Sequence, residues 1–145
     1  DTEKLSGELK NEKGDFHINV ITPYTDVGSE FTAMLRGAFK DVDDIHKMAG
    51  TVHTFQGKEA DVVILLLGGN PEKPGAVSSF AGNEQSPNLL NVALTRAKKR
   101  LYVVGDKQLW TDNSATFRRL ARRLDQYTAR LEQRAQSGVP ATTQN

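Results

Sequence analysis

Gln56, Gly57, Lys58 and Glu59 stand in succession between two short β-like stretches, the second of which holds the longest apolar run of the chain, residues 62–67. A tight turn needs only the glycine. Gly57 lets backbone N–H groups come close to a phosphate or another oxyanion. Glu59 can accept hydrogen bonds from ribose hydroxyls, and Gln56, with donors and an acceptor, can link two ligands. The same four residues also make a polar turn with a capping carboxylate, and on their chemistry both readings stand. Arg96 is the second candidate. It ends a helical pattern that has Leu89, Val92 and Ala93 behind it, and Lys98, Lys99 and Arg100 follow. A planar, always-charged fork is the usual partner of phosphate, while cations at a helix carboxyl terminus also have a purely electrostatic reason to be there. His53, inside a strand pattern, fits a packed or half-exposed histidine.

Alternating apolar residues predict a strand over 15–22, ending at Thr22-Pro23. From 24 to 40 the spacing of Val27, Phe31, Met34, Leu35 and Ala38 is helical. Strand signals return at 50–55 and 60–67, the latter apolar throughout as expected of a parallel strand covered on both faces. Residues 68–85 hold four glycines and two prolines and read as a long loop, mobile or functional. Ser86 offers an N-cap and Pro87 a first helical position for a helix over 87–98. A strand over 100–106 and an amphipathic helix over 114–134 follow, the helix with Phe117, Leu120, Ala121, Leu124, Tyr127 and Leu131 on one side. Residues 1–134 thus read as one domain and 135–145 as a disordered tail. Strands alternating with helices indicate an α/β fold with a mainly parallel sheet. Such sheets bind ligands at the carboxyl ends of their strands, so the turn at 56–59 is expected at that edge.

At 145 residues the chain can bury one core. The absence of cysteine excludes disulfides and thiolate metal sites, and three histidines without HxxxH or HxH spacing make no zinc site. No apolar run approaches the roughly 18 residues that span a bilayer. Charge is uneven: residues 1–90 carry 8 lysines and arginines against 14 carboxylates, residues 91–145 carry 11 against 4. A basic half attracts polyanions and equally makes a solvated helix face, and the arginines of 118–134 fit both. There is no G-x-x-x-x-G-K-[ST], and the run 62–67 ends in Gly68-Gly69 with no acidic pair, so the chain alone cannot assemble a P-loop NTPase site.

TVHTFQGKEADVVIL resembles motif V of superfamily 1 helicases, NLLNVALTRAKKRLYVVGD resembles motif VI, and INVITPY resembles the start of motif IV. Their order and separation also match, over about residues 16–106. The pairing of FQGKE with NVALTRA is most similar to the branch that contains the nonsense-mediated-decay helicase and its DNA-acting relatives. The resemblance implies the second RecA-like domain of a two-domain motor: a three-layer fold with a mainly parallel sheet and helices on both faces. ATP is then held in the cleft against an N-terminal RecA-like domain of the same protein, which carries the phosphate-binding loop and the Mg2+ ligands. Arg96 becomes the catalytic finger. Gly57, Glu59 and Gln56 become ATP-binding residues. Thr22, Pro23, Tyr24, Thr51, His53 and Thr54 become contacts to single-stranded DNA or RNA. The element that opens this domain in the family is missing, so the resemblance implies a chain that begins partway into the domain. It further implies an ATP-dependent helicase in the full-length protein, an inactive fragment without Walker A and B, and an intracellular place, cytoplasmic or nucleoid/nuclear. The rival reading is a nucleic-acid- or protein-binding module that keeps the helicase shape without a motor.

Overall fold

The computed structural model describes residues 7–55, 57–81 and 88–138, with backbone alone at 79–81 and 88–91. Gln56, the predicted cap Ser86-Pro87 and residues 139–145 lie outside these. In chain order the elements are β1 (Ile18–Thr22), α1 (Thr25–Ala38), a 3-10 turn (Ile45–Met48), β2 (Ala49–Thr51) and β3 (Ala60–Leu66). Then come α2 (Pro74–Ala81), α3 (Asn88–Arg96), β4 (Ala97–Val104), α4 (Lys107–Asn113) and α5 (Ala115–Gln136). The four strands form one all-parallel sheet in the order β2-β1-β3-β4.

Each face of the sheet has its own core. Ile21, Val63, Leu65 and Phe55 pack with Val77 of α2, Ala93 of α3, Trp110 of α4 and Phe117 and Ala121 of α5. On the other face Val20 packs with Leu35 of α1 and with Val42, Ile45 and Met48 around the 3-10 turn. Side chains of a strand alternate between faces, which is why neighbours Val20 and Ile21 belong to different cores. Helices thus flank a parallel sheet on both sides, the three-layer RecA-like α/β arrangement expected from the sequence.

Several boundaries differ from expectation, each for a physical reason. The strand predicted over 50–55 stops at Thr51, after which residues 52–55 turn so that Phe55, 1% exposed, can dive under the sheet. The loop predicted over 68–85 contains α2, which Pro74 starts at a position where a missing N–H costs nothing and which Val77 anchors, fully buried. The helix predicted to reach residue 98 ends at Arg96, because Ala97 pairs with Ala60 and the ladder then runs to Leu66 and Val104. Pairing along a whole strand outweighs the helical preference of three cationic residues. No element was predicted over 107–113, where α4 is capped by Asp106, whose carboxylate accepts from Leu109 N–H at 2.9 Å. Met34, placed on the apolar side of α1, is 70% exposed, and α5 leaves Tyr127 and Leu131 in solvent at its far end. The helix also continues through residues 135–136, into the stretch read as a tail.

Candidate functional site

β3 and β4 are parallel neighbours, and their first residues, Ala60 and Ala97, stand opposite each other. The residues just before them, 57–59 and Arg96, therefore lie side by side at the amino ends of two adjacent strands. This corrects the expected edge: residues 57–59 are not at the carboxyl end of the sheet. After β2 the chain has only residues 52–59 in which to return to the start of β3, two places away in a parallel sheet, so it crosses the whole sheet and emerges at the opposite edge.

Gly57 has φ +77°, and a Cβ placed on it would meet nothing within 4 Å. The glycine is thus required by backbone conformation and not by crowding. Gly57→Ala is expected to cost about 1–2 kcal/mol, the penalty of left-handed backbone for an L-residue, read from the denaturant midpoint; an unchanged midpoint would mean the turn can take another shape. Glu59 is half-exposed and ion-paired with Lys98 of β4 at 3.3 Å. Lys98 was read only as part of a helix-terminal cation cluster; the register of two parallel strands, once known, places it at the site. Arg96 is partly buried, and its Nε is buried with no hydrogen-bond partner among the described residues. An unpaired donor of this kind costs about 1–3 kcal/mol, so an acceptor brought to it by a ligand is favoured.

At the same edge a cavity of about 870 Å³ is lined by Gly57, Lys58, Glu59, Lys98 and Asn19, among others; Arg96 is not in its lining. It forms where β2, three residues long, pairs only with residues 20–22 and leaves the start of β1 open on that side. Nearby, Asp61 accepts from Lys99 Nζ at 3.0 Å and lies 3.2 Å from His17 Nδ1. The Lys99 hydrogen bond, helped by His17, holds the Asp61 carboxyl below its ordinary 3.8. A carboxylate with a lowered folded pKa adds stability above its unfolded value and loses it as pH falls through the folded one. Asp61→Asn is therefore expected to reduce the thermal midpoint at neutral pH, modestly because the pair is solvent-exposed and salt-screened. The difference from wild type should vanish well below pH 3.8. A difference that persists in strong acid would contradict this origin.

The six residues assigned to a strand of nucleic acid gather at the carboxyl edge, where Thr22 pairs with Thr51. They are not equally available. Thr22 is 1% exposed, and its hydroxyl accepts from Tyr24 N–H at 3.4 Å, shaping the turn into α1. Pro23 is buried, and Tyr24 packs on the α2–α5 side core. Thr51 is half-buried, whereas His53 and Thr54 are exposed. The segment 52–59 links the two groups, running from the carboxyl edge at Thr51 to the amino edge at Gly57. Among the described residues no group of acidic and histidine side chains is placed to hold a metal ion, and no helix is long and apolar enough to cross a membrane.

The four-stranded parallel sheet with helices on both faces is a RecA-like α/β fold. The family model described as AAA domain matches residues 2–108, and the chain belongs to that family. Over 94 residues it is 34% identical to the Neurospora crassa protein named regulator of nonsense transcripts 1 homolog, covering 63% of this chain and 8% of that one. It is 37% identical over 89 residues to the DNA polymerase alpha-associated DNA helicase A of Saccharomyces cerevisiae, covering 61% and 12%. The ATP-dependent helicase upf1 of Schizosaccharomyces pombe is 32% identical over 94 residues, covering 63% and 10%. The chain thus spans about a tenth of the length of these relatives. Together they place it as a carboxyl-terminal RecA-like domain of the superfamily 1 helicase type, similar to the nonsense-mediated-decay helicase.

Proposed function

We propose that this chain is the second motor domain of an ATP-dependent helicase, completing an interdomain ATP site with one edge of its sheet and gripping a nucleic-acid strand with the other. The observation that carries this reading is the Ala60–Ala97 pairing, which sets Gly57, Glu59 and Arg96 in a row at one edge. The backbone at Gly57 can approach a γ-phosphate, and Glu59 can accept from ribose hydroxyls once it exchanges its exposed Lys98 partner. Arg96, with its orphaned Nε, supplies positive charge where the transferred phosphoryl group develops negative charge. Gln56, outside the described residues, is proposed from the sequence to bind the nucleotide as well. Bound Mg2+ would neutralise the nucleotide phosphates, and this chain's share is the arginine, the turn and the carboxylate.

At the opposite edge His53 and Thr54 are the exposed candidates for a phosphate backbone, with Thr22, Pro23 and Tyr24 shaping the surface behind them. Closure of an N-terminal RecA-like domain on ATP would push at Gly57, and residues 52–59 would carry the displacement to Thr51, His53 and Thr54. The walls of the ATP site that hold phosphate and metal lie on that other domain, so residues 1–145 alone are expected to be inactive. The place of action is intracellular, and single-stranded DNA and RNA both fit.

Strand binding by the parent protein, measured by fluorescence anisotropy with and without a non-hydrolysable ATP analogue, tests the coupling. The analogue is expected to change strand affinity several-fold. His53→Glu should weaken strand binding at either condition while nucleotide affinity stays the same. Strand affinity indifferent to the analogue would favour a binding module that does not use ATP.

A further inference from the structure

α5 has two halves with different work. Up to Leu124 it packs on the core through Phe117, Leu120 and Ala121. From Asp125 to Gln136 every side chain is exposed. This second half is a continuation of an anchored helix that buries nothing among the described residues.

The helix carries six arginines against two carboxylates. Four of the six, Arg119, Arg123, Arg130 and Arg134, fall within a stripe about 60° wide when the chain turns once per 3.6 residues. Asp125 and Glu132 lie roughly 150° round from that stripe. Asp125 is also spoken for, since Lys107 Nζ stands 2.7 Å from its carboxylate. Arg123, Arg130 and Arg134 take part in none of the ion pairs among the described residues. Solubility alone favours a face on which both signs are mixed. This face has one sign.

It also has an aromatic ring. Tyr127 is 61% exposed, one turn beyond Arg123 and one turn before Arg130, at the border of the stripe. Arg100 of β4 adds a further cation on that side. Its Nη1 donates to the Tyr102 hydroxyl at 3.4 Å, and this bond, with a smaller electrostatic contribution from Tyr127, holds the guanidinium above its ordinary range. Cations that follow a backbone, interleaved with an aromatic face on which a base can stack, are the combination that holds unpaired nucleic acid without regard to sequence.

We infer that the exposed half of α5 binds single-stranded nucleic acid, Arg123, Arg130 and Arg134 taking phosphates and Tyr127 stacking on a base. The surface belongs to a different element from His53 and Thr54, and it rests on the reading above that the parent protein engages a nucleic-acid strand.

Anisotropy of a labelled oligothymidylate titrated with the parent protein at several salt concentrations tests it. Arg123→Gln, Arg130→Gln and Arg134→Gln combined should weaken binding on the order of 10²-fold at low salt. The slope of log affinity against log salt should shrink by about 2, at roughly 0.7 for each phosphate contact of a single strand. Tyr127→Ala should weaken binding on the order of 10-fold with the slope unchanged, and Tyr127→Phe should restore it, because stacking needs the ring and not the hydroxyl. All variants should melt as wild type does, since the four side chains are exposed. Wild-type affinity and slope in every variant overturn the inference and leave the stripe to solvent or to an acidic protein. A reduced slope with no effect of Tyr127→Ala overturns it too, because the face would then be a positive surface without a stacking site. If wild type binds and responds to the ATP analogue while the variants match it, this inference alone falls. If wild type does not bind the strand at all, the proposed function falls with it.

Discussion

Arg96→Ala in the parent protein is expected to lower the turnover of nucleic-acid-stimulated ATP hydrolysis by about 10³- to 10⁵-fold, the usual contribution of an arginine finger. Nucleotide affinity should change far less, because in the proposed role the guanidinium acts on charge that develops only in the transition state. The fold should survive. Arg96 is the last residue of α3, makes none of the ion pairs found among the described residues, and leaves its buried Nε without a hydrogen-bond partner there. Removing an unsatisfied buried donor releases a desolvation penalty. A melting temperature equal to or above that of wild type, together with lost turnover, is the combined signature. Arg96→Lys should recover little, since a point charge does not reproduce the planar fork. Near-normal turnover of the alanine variant would remove Arg96 from the reaction.

Trp110→Ala is the second large effect, on stability instead of chemistry. Trp110 is fully buried, its ring lies 5.6 Å from that of Phe117, and its indole Nε1 donates to the Gly68 carbonyl at 2.8 Å. One side chain therefore ties α4, the start of α5 and the end of β3 into a single core. Large-to-small changes of this type cost about 3–5 kcal/mol, and a domain holds only about 5–15 in all. Urea unfolding of residues 1–145 should show the midpoint falling to a fraction of the wild-type value. Trp110→Phe keeps most of the volume and loses the hydrogen bond, so it should lie between the two. A wild-type midpoint for the alanine variant would mean the α2–α5 face is not a close-packed core.

The sequence made some of this legible for definite reasons. β1, α1, β3 and α5 each carry a single uninterrupted period or apolar run, and they appear within a few residues of where that period placed them. α2 was hidden because its punctuating Pro74 and Gly75 open the helix instead of breaking it, and because it is only eight residues long, set in a stretch rich in glycine and proline. α4 was hidden because Trp110 is a lone aromatic in a polar stretch, with no period to reveal that it is the most voluminous of the fully buried side chains. Lys98, Lys99 and Arg100 read as the end of a helix because local propensity cannot register a ladder to a strand more than thirty residues earlier.

The candidate residues could be named from the sequence; where the fold puts them could not. In a chain of alternating strands, a turn that follows one strand also precedes the next. Sequence order therefore could not tell which edge of the sheet residues 57–59 would occupy. Only the crossover of residues 52–59 decides it, and that crossover depends on β1 lying between β2 and β3. The nucleic-acid set divides on similar grounds. The Thr22 hydroxyl spends its hydrogen-bonding on the Tyr24 backbone, a use that residue type alone does not announce. His53 and Thr54, a few residues on, remain exposed.

The most direct test of the central claim is steady-state ATP hydrolysis by the parent protein with and without single-stranded nucleic acid, alongside residues 1–145 alone. A domain that completes a site shared with a second motor domain predicts stimulated turnover in the parent and none in the isolated chain. Hydrolysis by residues 1–145 alone, or a parent that binds the strand yet never hydrolyses ATP, would contradict it.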